Sequence, residues 1–393
     1  MILHHLSRPA SLLALMLLLR VADAGGTEIA SPEANAGPAA GGHVVHEAAV
    51  DFATLWASDI LLTDTLLEYR QVRTSSELTL GLSHGHIGLH YVPEPSPLRI
   101  FGVLKQNDLN DERYGVQARG RIHVSNPLTL IVAGGLYEGF TDYRSLWLDE
   151  YYRQLDARNS RHGLGYRPAD PRGWNASTGL RWEYWPSAGF LQGEVRYQHD
   201  VIAPGYNVTL HTYPLKLVRQ NDQLDTFSGR LTLENVIGSR LRALQEFQIA
   251  DITDRELRFT LQSSLNWVPA WRWALRLALG GATEAPSFDA WWVSSTLERD
   301  WNETWFVNLL ARYYKDTGQI ENSLPSSSNA APPVETYQIG LGFRLQGRRS
   351  SAKLVVGPYF SHYSKDGPVA TSFAHLYQSR DWFSLQLAFA HTF

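Results

Sequence analysis

The sequence predicts an all-β chain that closes into an antiparallel transmembrane β-barrel of about sixteen strands, with short periplasmic turns and long extracellular loops. Three observations predict it. From about Arg113 onward, apolar and polar residues alternate in segments of roughly ten, the length of a membrane-crossing strand. Aromatic residues gather near segment ends, as at Trp182, Tyr184 and Trp185, at Trp267, Trp271 and Trp273, and at Trp301 and Trp305. The connections between segments alternate between short and long.

The N-terminus comes first. His4, His5 and Arg8 precede the apolar run Leu12–Leu19, and Ala22-Asp23-Ala24 supplies small residues around a cleavage point. This is the layout of a secretory signal peptide over residues 1–24, too short an apolar run to span a bilayer as a helix. Residues 25–57 read as a flexible periplasmic leader, rich in Gly, Ala, Pro and Ser over 25–50, and residues 58–393 as the barrel.

Composition agrees. The chain has 393 residues, 44% hydrophobic and 19% charged, with 13 Trp and no Cys. A formal charge of −4 leaves no footprint of a nucleic-acid binder, so no nucleic-acid partner is expected. Without cysteine there are no disulfides and no thiolate metal sites, and no cofactor is expected.

The alternation assigns faces. Leu257, Phe259, Leu261, Leu265 and Trp267 lie on one side, with Arg258, Thr260, Gln262, Ser264 and Asn266 on the other. Trp273, Leu275, Leu277 and Leu279 oppose Arg272 and Arg276, and Tyr114, Val116 and Ile122 oppose Gln117, Arg119 and Arg121. A soluble sandwich also alternates, but these polar faces carry long charged side chains along the whole strand, as a watery lumen would.

Counting from the C-terminus, strands are expected near 382–393, 350–362, 335–345, 303–314, 288–299, 271–283, 255–267, 239–250, 225–235, 188–200, 174–185, 127–138 and 113–124. Before them come 97–106, 77–91 and 58–71. Both ends then lie in the periplasm, which requires an even number; fourteen and eighteen stay open beside sixteen. The early strands carry the weakest pattern. Leu78, Leu80 and Leu82 lie on one register and Ile87, Leu89 and Tyr91 on the other, which implies a bulge near Gly85.

The final segment, Phe383 to Phe393, has apolar residues at every second position, broken by His391, and ends in Phe393. It resembles the C-terminal insertion signal of Gram-negative outer-membrane β-barrel proteins. That resemblance implies an outer-membrane location, with outer-membrane lipid, lipopolysaccharide and the barrel-assembly machinery as partners. The strand count and loops also resemble the general porins, whose third outside loop folds inward to narrow the pore. Here the longest loop, about 139–173, is the third outside loop and carries a helix-like patch, Leu146 to Tyr152. Porin likeness places Asp149 and Glu150 at a constriction opposite lumen arginines; a solvated surface loop is the other reading. Neither trimer nor monomer is implied.

Arg119, Arg121, Arg181, Arg196, Arg230, Arg242, Arg258, Arg276, Arg312 and Arg344 all fall on polar registers and are the pore-lining candidates. Glu183, Glu194, Glu234, Glu246, Glu256 and Glu298 are interleaved with them. Two readings stay open: an anion-leaning channel, or a lattice of Arg–Glu pairs that braces the lumen. Ser83-His84-Gly85-His86, with His90, is the cluster that hints at an enzyme or a metal. Ser83 and His84 are adjacent on a strand and so point to opposite faces, which argues against a nucleophile–base pair. No catalytic or metal residue is therefore assigned. The expected function is a porin-like, non-enzymatic channel for small hydrophilic or anionic solutes. Export of a polysaccharide or other polymer is the alternative, and a lipid-modifying enzyme the next.

Overall fold

In a computed structural model, the residues described are 44–57, 60–91, 107–139, 143–158, 165–202, 206–209, 216–219, 222–253, 255–286, 288–318, 333–364 and 379–393. Eighteen strands are found among them. The first seven are β1 (Val45–Ala57), β2 (Ile60–Arg73), β3 (Ser76–Tyr91), β4 (Asn107–Ser125), β5 (Leu128–Glu138), β6 (Arg172–Trp185) and β7 (Gly189–Val201). Two short strands follow, β8 (Tyr206–Thr209) and β9 (Lys216–Arg219). The others are β10 (Gln223–Ile237), β11 (Leu241–Ile252), β12 (Arg258–Trp267), β13 (Trp273–Glu284), β14 (Phe288–Asp300), β15 (Trp305–Asp316), β16 (Val334–Gln346), β17 (Ser350–Tyr363) and β18 (Arg380–Thr392). One helix, α1 (Tyr143–Arg158), lies between β5 and β6.

Sixteen of these strands form one closed antiparallel barrel in chain order, with β18 returning to pair with β1; β8 and β9 form a separate hairpin in the loop after β7. Closure leaves no strand edge unpaired, the condition for a sheet to cross a bilayer. The seam is stitched to its last residue, where the Phe393 N–H donates to the Ala48 carbonyl at 2.8 Å.

The faces are those of the alternation. Leu82, Val116, Leu136, Leu231, Leu261, Leu279, Leu309 and Ile339 are exposed on the outer surface. Such an unbroken apolar band outside a barrel is what lipid contact requires. The inner wall differs between its two ends. Toward the short turns it carries arginine and glutamate. Toward the long loops apolar residues are buried in it: Ala282, Phe288, Ala290, Trp292, Tyr314 and Val334 form one cluster, and Ile202, Leu224, Ala250 and Ile252 another, with the Arg258–Glu284 pair set beside them. Trp292 lies flat against the wall over Gly280, where a Cβ would collide with its ring.

Three expectations change. The leader read over 25–57 ends early, because Val45–Ala57 is the barrel's first strand, paired with both β18 and β2. The strand expected at 97–106 lies outside the described residues, so the total of sixteen is reached with a different first member. No bulge occurs at Gly85, for β3 pairs with β2 and β4 without a register shift from Ser76 to Tyr91. The apolar residues switch register because they switch faces. Leu78, Leu80 and Leu82 point outward, whereas Ile87 and Leu89 join the buried apolar wall inside.

Candidate functional site

The charged inner wall, densest toward the short turns and reaching the loop end at Arg258 and Glu284, is the concentrated chemistry of this barrel. All ten candidate arginines occupy inward positions, since each shares its register with buried residues and alternates with exposed apolar ones. Seven of them lie within salt-bridge distance of a carboxylate. Arg121 reaches Glu77 at 3.4 Å and Arg181 reaches Glu183 at 3.2 Å. Arg230 sits 3.3 Å from Glu194 and 3.9 Å from Glu246. Arg242 reaches Glu234 at 2.6 Å, and Arg258 pairs with Glu284. Arg276 and Arg344 share Glu298 at 3.7 and 2.8 Å. Arg119 stands among Arg121, Arg230, Glu194 and Glu77. Arg196 faces the same wall two residues from Glu194.

The lattice extends to residues outside the sequence-derived set. Arg70 bridges Glu77 at 2.7 Å and Glu47 at 3.5 Å, linking β1, β2 and β3. Lys353 faces Arg276, Arg312, Arg344 and Glu298. Glu47 carries no sequence signal because its strand has the composition of a leader. Lys353 was missed because Ser350-Ser351-Ala352 blurs the alternation just before it. Glu256 lies exposed just before β12 and outside it.

The loop after β5 holds α1, over the patch expected to be helical, and α1 packs against β3 and β4. Both of its candidate carboxylates bond to residues of the loop. Glu150 is buried and accepts from Arg153 Nε and Nη2 at 2.6 and 2.5 Å and from Gln154 Nε2 at 2.6 Å. Asp149 Oδ2 accepts from the Tyr166 hydroxyl at 2.9 Å, and its Oδ1 is buried without a partner. Burial pushes the Asp149 carboxyl above the usual carboxylate range, against the pull of the Tyr166 bond.

Ser83 and His84 do separate. Ser83 lies over Gly115 on the inner wall, while His84 is exposed outside, stacked on Tyr114 with centroids 4.9 Å apart and 3.7 Å from Glu112. Among the described residues, no group of three or more His, Asp or Glu is placed to hold a metal ion.

No family model and no curated protein matches the chain. Solved structures do. The chain is similar to CdiB from Acinetobacter baumannii, with a TM-score of 0.53 at 10% identity over 88% of this chain and 60% of that one. This chain therefore spans less than two thirds of the length of CdiB. A structure described as a bacterial polysaccharide outer membrane secretin matches at TM-score 0.46 and 8% identity, over 89% of this chain and 98% of that one. The siderophore receptor PirA from Acinetobacter baumannii matches at TM-score 0.43 and 10% identity, over 80% and 52%. At these identities the likeness is one of fold: a closed sixteen-strand barrel of the kind found in outer-membrane proteins.

Proposed function

We propose that this protein is a porin-like channel of the Gram-negative outer membrane, passing small hydrophilic and preferentially anionic solutes. In this reading residues 1–24 direct export, lipid and lipopolysaccharide surround the barrel, and the assembly machinery reads the C-terminal strand. The observation that carries it is the pairing of an apolar outer wall with a charged inner one around a closed barrel. Charged side chains on a bilayer-spanning strand are costly unless they face water or one another, so a charged inner wall supports a wet lumen. In this reading the barrel is a conduit; the placement of Ser83 and His84 on opposite faces supports it against a nucleophile–base pair at that cluster.

In this reading the path narrows at the loop end, where the inner wall carries buried apolar residues and α1 packs against β3 and β4. The arginines supply a positive potential along the inner wall, partly offset by their glutamates.

Planar-bilayer recording of the refolded protein tests the reading. Discrete conductance steps with a reversal potential favouring anions in a salt gradient are expected. Shortening the loop after β5 should raise the step size. Silent bilayers containing correctly folded protein would overturn it. Conductance that appears only with large polymeric anions on the periplasmic side would point instead to polymer export.

A further inference from the structure

We propose that the inner wall of β13–β17 carries a binding site for an oxyanion, a sulfate, phosphate or carboxylate group, centred on Arg312 and Lys353. Lys353 stands among three further cations there, Arg276, Arg312 and Arg344, with Glu298 as the carboxylate shared by Arg276 and Arg344. Asp300, at the turn end of β14, and Asp316, at the loop end of β15, accept from backbone N–H groups, of Glu303 and of Gly318 and Val334 respectively. The cluster is thus left with an excess of positive charge.

Arg312 shows where the excess is felt. Its side chain is buried, at 9% exposure. Nη1 donates to Gln338 Oε1 at 3.2 Å, while Nε and Nη2 are buried with no partner. A guanidinium stays protonated in a protein, so it cannot relieve this by giving up its charge. A buried cation without a counter-charge is among the most destabilising features a fold can hold. A matching anion removes that cost.

The neighbouring side chains are donors too. Arg312 begins a cross-strand row that runs through Gln338 and Tyr359 to Trp382, whose indole N–H is likewise buried and unpaired. Asn308 begins the parallel row through Gly342 and Val355 to Gln386; its Nδ2 and the Gln386 Nε2 are unpaired as well. Arg312 and Trp382 can only donate. A wall that offers unpaired N–H groups and surplus positive charge selects a ligand that accepts several hydrogen bonds and carries negative charge. An oxyanion meets both requirements; a cation meets neither, and a neutral alcohol accepts hydrogen bonds but brings no charge.

This site goes beyond the channel reading, because it requires a folded barrel and not conduction. The test is the thermal unfolding midpoint of the folded protein in neutral detergent, titrated with sodium sulfate while sodium chloride holds ionic strength constant. A saturable rise is expected in the parent. Arg312→Gln should abolish it, and Lys353→Gln should weaken the apparent affinity about ten-fold, the scale of one charge-assisted bond. Should Arg312→Gln fail to fold, Lys353→Gln decides alone. A midpoint that follows ionic strength only, or an unchanged sulfate response in both variants, overturns the site and leaves water as its occupant. A sulfate response without bilayer conductance removes the channel and keeps the site; conductance without a sulfate response does the reverse.

Discussion

Arg344 on β16 reaches over β15 to pair with Glu298 on β14, with Nη2 2.8 Å from Oε1 and the guanidinium stacked 3.8 Å above the Phe306 ring. Glu298 also attracts Arg276 from β13, so one carboxylate links β13, β14 and, across β15, β16. Glu298 is 8% exposed and Arg344 15%. Breaking a pair of this burial leaves a charge uncompensated, though water in the lumen softens the effect. Glu298→Gln should destabilise the barrel by about 1–3 kcal/mol. Arg344→Gln should cost less, since Arg276 remains. A double-mutant cycle read from urea unfolding in detergent, with a coupling near zero, would show that the pair has no energetic role.

The two faces of β12 make opposite predictions for the same residue. Leu261 is exposed on the outer wall and Ser264 faces inward. Leu261→Arg places a guanidinium against lipid and should cost about 2–4 kcal/mol in folding into bilayers. Ser264→Arg joins the charged lumen and should cost well under half of that. Equal costs at the two positions would mean that the wall has no lipid-facing side.

At the seam, Ala53 on β1 pairs with Ala388 on β18 and with Asp64 on β2. A proline there removes a ladder donor in a strand bonded on both sides. Ala53→Pro should yield no heat-modifiable folded species. A normal yield would return β1 to the status of a leader. Phe393→Ala keeps the backbone bond to Ala48 and deletes only an exposed ring. If that ring is read during insertion, assembly in cells should slow several-fold while refolding of the purified protein in detergent is unchanged.

The docking of α1 should depend on pH through Asp149. Its carboxyl is held above the ordinary range by burial, so the protonated form is the one that favours the docked loop. The stabilisation is complete below the unfolded carboxylate pKa and is lost as pH rises through the higher folded value. Protease protection of the loop should therefore be greater near pH 4 than at pH 8. Asp149→Asn, which imitates the neutral form and still accepts from Tyr166, should keep the protection at both. A loop equally resistant at both pH values in the parent would separate Asp149 from docking.

By itself the sequence determined the barrel, its faces and the order of its long and short connections. Alternation of period two follows directly from strand geometry, and a bilayer outside with water inside imposes opposite polarity on the two sides. Leu261 and Arg258 could be assigned without coordinates for that reason. The tertiary structure decided what alternation does not encode. Val45–Ala57 has a faint pattern, with Ala49, Ala53 and Ala57 on its inward side, and it is a strand because β18 and β2 each need a partner for their backbone groups. Ile87 and Leu89 break the polarity rule because the inner wall turns apolar near the loops, a property of depth within the barrel and not of sequence spacing. Which glutamate each arginine meets, and that Arg312 keeps two N–H groups without one, depends on reach across strands far apart in the chain. Those distances are set only once the sheet closes.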